Sequence, residues 1–138
     1  MKILNTLTLL LLIGLTIAAC KDETPTNQEE SAVDLTVLQG IWTIDTVKLG
    51  DKVRNSLNGG TFNFVNDTEF ISGVNLQGTG IEIDKPTTYE LDGESIKIMG
   101  TEALVFDIQR LDTEKMVLNA RIRGLECLFS FSRQEELN

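Results

Sequence analysis

The chain has 138 residues, 12 basic and 21 acidic side chains, a formal net charge of −9 and no histidine. That balance excludes a basic nucleic-acid face and argues against electrostatic docking on anionic lipid; an acidic surface is first of all a solubility feature. The absence of histidine removes the commonest transition-metal ligand and the commonest general base together.

Lys2 gives the chain a positive start, Leu7 to Ile17 is mostly apolar, and Leu9, Leu10, Leu11, Leu12 and Ile13 form an unbroken run. The stretch is shorter than the ~20 apolar residues of a membrane span, and no other segment approaches that length. Residues 1–19 therefore read as a targeting segment, removed before folding. Its end, Ile17-Ala18-Ala19-Cys20, resembles the lipobox of bacterial lipoproteins. The small residues would admit the backbone to a peptidase cleft, and the Cys20 thiol would accept a diacylglyceryl group. The resemblance implies that Cys20 becomes a new, acylated N-terminus. Each buried methylene adds roughly 0.8 kcal/mol, so two or more chains (of palmitate type) anchor stably where one does not. An ordinary secretory signal ending beside a cysteine is the alternative. Lys21-Asp22-Glu23 resembles the surface-export signal of lipoproteins in the Bacteroidetes group. This implies an outer-membrane lipoprotein with a surface-exposed domain.

Residues 21–31 contain no apolar side chain apart from Pro25. Such a run cannot bury surface to offset its ordering entropy and reads as a flexible leash. The expected organisation is a signal peptide over 1–19, a lipidated cysteine and tether over 20–34, and one folded domain over 35–138. With Cys20 lipidated, Cys127 has no intramolecular partner, so the domain must be held by its core rather than by a disulfide.

Ser31 followed by Asp34 is a cap-like pattern, and Val33, Leu35 and Leu38 fit one side of a short helical turn that Gly40 stops. Beyond Gly40, short segments rich in Ile, Val, Thr and Phe alternate with turn residues, the texture of an all-β domain. Strands are expected at Ile41–Leu49, Lys52–Ser56, Thr61–Val65 and Glu69–Ser72. Val74 to Asp84, holding Gly78 and Gly80, is expected to be bent or broken. Thr87–Leu91 and Glu94–Ile98 flank Asp92-Gly93, expected to be a tight two-residue hairpin loop. Ala103–Ile108, the strand of Met116, Leu118, Ala120 and Ile122, and the strand of Cys127, Phe129 and Phe131 complete the series. No crossover helices intervene, which argues against a parallel α/β sheet. The expected fold is all-β: an antiparallel up-and-down meander of about eight strands that closes into a small barrel and so removes its edges.

Leu38-Gln39-Gly40-Ile41-Trp42, then Phe62-Asn63-Phe64, Tyr89-Glu90-Leu91 and Phe129-Ser130-Phe131-Ser132-Arg133, in that order, resemble the lipocalins. The likeness is nearest to the short lipocalin-like domains of bacterial lipoproteins and covers roughly residues 35–134. It implies that Trp42 plugs one end of the barrel and that Arg133, from the last strand, lies over it. A solvated strand end is the other reading of Arg133. The domain is shorter than full lipocalins, and a small barrel interior can simply be filled by side chains.

No nucleophile–base pair can be drawn. Cys127 lacks a histidine and sits among Phe neighbours as a small hydrophobe. The acid pairs Glu82/Asp84 and Glu90/Asp92 are ordinary wet-face acids. Asn66, Asp67 and Glu69 lack the spacing of a calcium loop. Asp45 shares parity with Val47 rather than with Trp42, which leaves its face open. No cofactor, metal, nucleic-acid partner or enzymatic activity is expected. The function expected is a lipid-anchored binding module for a small apolar ligand. Its inward set is Phe62, Phe64, Tyr89, Leu104, Phe106, Ile108, Met116, Leu118, Cys127, Phe129 and Phe131, with Tyr89 and Arg110 as polar contacts. The same set would equally be a filled core. In that case a solid barrel would contact another envelope protein or a glycan through loops 50–60 and 74–86.

Overall fold

Alternation of apolar and polar residues from Gly40 onward produces nine strands in the computed structural model, which describes residues 33–136. The expected signal peptide, Cys20 and residues 21–32 of the expected tether lie outside the described residues. The strands are β1 (Gly40–Leu49), β2 (Lys52–Arg54), β3 (Thr61–Phe64), β4 (Glu69–Ser72), β5 (Pro86–Asp92), β6 (Ser95–Met99), β7 (Ala103–Leu111), β8 (Lys115–Ile122) and β9 (Leu125–Arg133). Every pairing between them is antiparallel. β3 pairs with β1, each later strand pairs with its predecessor, and β9 returns to β1. Eight strands thus close a barrel, and closure leaves no long free edge. β2 stands outside this ring as a short arm on Val47–Leu49 of β1.

Two bulges set which side chains face in. In β1 the register shifts between Ile44 and Thr46, so Trp42, Ile44 and then Val47 are buried while Asp45 is expelled. Asp45 meets Ser132 Oγ at 2.5 Å and Lys115 Nζ at 3.4 Å on the outer surface. In β7 the shift falls between Ile108 and Arg110, so Ile108 and Leu111 are buried. This corrects the inward placement of Arg110. The extra residue reverses its face, and its Nε instead bonds Asp112 in solvent at 2.7 Å.

The β5–β6 turn also differs from expectation. Asp92 pairs with Ser95, so the two loop residues are Gly93 and Glu94, one position later than read from the sequence. Gly93, at φ +58°, takes the first loop position, where a positive φ suits glycine. Asp34, rather than Ser31, caps the 3-10 turn Leu35–Val37, its carboxylate accepting from Thr36 N at 3.0 Å. Val33 and Asp34, assigned to the tether, already meet Leu111 of β7; Asp34 N donates to the Leu111 carbonyl at 3.3 Å.

The interior is packed with aromatic rings. Phe62 lies 5.2 Å from Phe70, 5.7 Å from Phe106, 6.0 Å from Phe129 and 4.9 Å from Phe131, centroid to centroid. Phe64 packs edge-on to Tyr89 at 5.1 Å. Ile96, Ile98, Met116 and Leu118 fill the space between. The unit Ser31–Asn138 holds this core within itself, its seam is closed, and among the described residues no buried side-chain nitrogen or oxygen lacks a partner. It therefore meets the conditions for folding by itself.

Candidate functional site

The strand directions put two different structures at the two barrel ends. At one end lie the start of β1 and the end of β9, where Trp42 and Arg133 are register partners. The indole Nε1 donates to the Leu38 carbonyl at 2.8 Å. The Arg133 guanidinium lies over the indole, 4.3 Å from the ring centroid. It also donates to the carbonyls of Thr113 (2.8 Å), Gln39 (2.9 Å) and Val37. Gly40 makes this approach possible: at φ +124°, a Cβ there would sit 2.6 Å from Arg133 Nη1. Every donor that points inward here has a partner, so this end is sealed.

The opposite end carries the β1–β2 arm, the loop 73–85, and the β8–β9 hairpin. The loop folds down over part of the mouth, burying Val74, Leu76 and Ile81. Thr79 fastens it, bonding the Leu76 carbonyl through Oγ1 at 2.6 Å and accepting from Thr101 N at 3.1 Å. What the loop leaves uncovered is a pocket of about 370 Å3. Val47, Leu49, Leu57, Leu76, Ile122, Leu125, Cys127 and Phe129 form its apolar walls, and Arg54, Ser56, Asn75, Gln77 and Arg123 its polar lining. The volume sits at the lower end of the ~300–1,000 Å3 usual for small-molecule sites. Burial pushes the Cys127 thiol up, away from the thiolate form that reacts as a nucleophile. No aspartate or glutamate lines the pocket. A wider groove of about 680 Å3 lies outside the barrel at the sealed end, but its walls are more polar and include Asn63, Arg133, Gln134, Glu135 and Glu136.

Of the residues expected to line a ligand cavity, Cys127 and Phe129 reach this pocket. Phe62, Phe64, Tyr89, Leu104, Phe106, Met116, Leu118 and Phe131 are buried in the packed interior. The Tyr89 hydroxyl donates to the Asn66 carbonyl at 2.6 Å, and burial together with the nearby Asp67 carboxylate raises its pKa. It is therefore engaged within the fold, and Arg110 is outside the barrel, so neither orients a molecule from within. Reading the sequence missed Val47, Leu49, Leu57, Leu76, Ile122, Arg54 and Arg123. The usable signal was apolar residues stranded in loops: Leu57 follows a three-residue strand, and Leu76 sits in a glycine-bearing segment.

The acids singled out in the sequence lie elsewhere. Glu82 pairs with Lys85 in solvent, and Asp84, Glu90 and Asp92 are exposed. Asn66 turns the β3–β4 connection by accepting from Thr68 N and Glu69 N, each at 2.9 Å. Among the described residues no group of three metal-ligating side chains comes together. Comparison of the chain with protein-family models and with curated proteins finds no match to either.

Proposed function

We propose that the protein is a lipid-anchored, non-enzymatic module of the bacterial outer membrane that binds a small apolar molecule at the open end of its barrel. The observation that carries this reading is the apolar mouth pocket itself, bounded by three separate chain segments above a packed core. A lipocalin-like relationship is supported by the closed meander and by the guanidinium laid over Trp42. The site differs from a deep calyx, because the aromatic core occupies the lower barrel and restricts a ligand to the mouth. The non-enzymatic reading rests on the lack of histidine and on a pocket whose hydroxyl, Ser56, and thiol, Cys127, have no histidine or carboxylate beside them in its lining.

The lipid anchor and outer-membrane location rest on the sequence of residues 1–23. Cys20→Ala should abolish incorporation of labelled palmitate and release the protein from the membrane fraction. Protease treatment of intact cells should remove the domain if it faces outward; protection would contradict the export-signal reading. The binding reading is tested by native mass spectrometry of residues 21–138, purified from its own host without detergent. A bound mass released by gentle activation supports a carrier. A clean apo mass favours the second reading, an interaction module with a solid barrel. The filled interior and the exposed Val53 and Leu125 beside the mouth favour that alternative specifically.

A further inference from the structure

The charge of the mouth is opposite to that of the chain. The protein carries 21 acidic and 12 basic side chains, yet the charged residues lining the pocket are two arginines, Arg54 and Arg123, with no carboxylate. Among the described residues, neither guanidinium has a hydrogen-bond or ion-pair partner. Arg110 and Arg133, by contrast, are both engaged within the fold. Arg123 sits at φ +53° in the β8–β9 turn, a conformation that side chains rarely adopt. Its stem lies against Gly78, where an added Cβ would be 3.3 Å from Arg123 Cδ and Nε. The stem of Arg123 thus rests on the loop, while both arginines stay exposed at the rim of the pocket.

We propose that the pocket takes an anionic amphiphile: an alkyl chain against Val47, Leu76 and Phe129, with its acidic head between Arg54 and Arg123. This rests on the small-molecule reading above and narrows it to a chemical class. An apolar wall supplies most of the affinity, and two unpaired guanidiniums select the head, since their fork matches a carboxylate or phosphate. A neutral alcohol of the same length fills the walls and leaves the arginines unmatched. A cationic head is repelled.

The test uses residues 21–138, in which Cys127 is the sole thiol. Cys127 lines the pocket, so an occupant should slow its alkylation by iodoacetamide at fixed alkaline pH; calorimetry gives an independent affinity. The probes are octanoate, octyl phosphate, octanol and octyltrimethylammonium, each below its micelle-forming concentration. Octanoate or octyl phosphate should protect at about fivefold lower concentration than octanol, and the advantage should shrink with added salt. The better of the two anions identifies the head group. The double variant Arg54→Gln, Arg123→Asn should lose the preference while binding octanol as before; asparagine tolerates the positive φ at 123. Equal binding of octanoate and octanol by the unaltered domain would overturn the charge inference and leave the pocket reading standing. Undiminished octanoate preference in the double variant would also overturn it. Protection by no probe, with no heat of binding, would overturn both.

Discussion

The Trp42 end of the barrel and the Cys127 end are built from the same strands, yet they answer to different demands. At the first, a guanidinium is fixed over an indole and by three carbonyls, the indole N–H is bonded to Leu38, and residues 33–39 lie across the opening. At the second, a loop covers only part of the mouth, and both arginines there lack partners among the described residues. Polar side chains satisfied inside the fold stabilise it; polar side chains left unsatisfied beside an apolar hollow are available to something else. The contrast sets a tightly bonded end against an end that carries the proposed binding pocket.

The sharpest way to break that comparison is to unseal the first end. Trp42→Ala removes the largest fully buried side chain and should cost about 3–5 kcal/mol in chemical denaturation. Arg133→Ala should cost about 2 kcal/mol, from the lost stack and charged hydrogen bonds, and should shift the fluorescence of Trp42. No change in either quantity would show that the stack is idle. Tyr89→Phe leaves the ring packed on Phe64 but removes the bond to Asn66, for about 1 kcal/mol. Because burial raises the Tyr89 pKa, the unfolded chain loses this proton first. Stability should therefore fall as pH rises through the ordinary tyrosine value of 10.0, and Tyr89→Phe should lack that alkaline loss.

A smaller effect is expected at the β7–β8 turn, on the sealed end. The N–H groups of Glu114 and Lys115, with Arg110, pull the Asp112 carboxyl from 3.8 down to about 2. A lowered native pKa means the stabilisation is complete above the ordinary value and is lost as pH falls through the native one. The difference in thermal midpoint between the unaltered protein and Asp112→Asn should therefore narrow from pH 4 toward pH 2. The smallest effect belongs to the open end. Arg54→Gln should stay within about 0.5 kcal/mol of the unaltered protein, since among the described residues the guanidinium has no hydrogen-bond or ion-pair partner. A loss comparable to that of Arg133→Ala would abolish the contrast between the ends.

Much of the fold was legible because its signals are local. Phe62 and Phe64, or Met116, Leu118 and Ala120, alternate at period two, and a strand built this way must turn those residues inward. The glycine-bearing segment after Val74 announced its own irregularity. Parity counting left Asp45 open and failed beyond Gln109, because one extra residue in each strand reverses the face of everything beyond it. Arg110 was misplaced for that reason alone. A bulge is fixed by the hydrogen-bond register of the neighbouring strand, which a single strand's composition does not encode.

From the sequence by itself follow an all-β domain, the order of its meander, and the inward sets of most strands, because side-chain alternation and turn chemistry act over a few residues. Only the tertiary structure decided that those inward sets fill the barrel and that the hollow lies at one end. The aromatic rings of β3, β4, β7 and β9 meet only after closure, with centroids 4.9 to 5.7 Å apart. The pocket likewise joins residues 47–57, 75–77 and 122–129, segments far apart in the chain that closure of the ring brings to one rim.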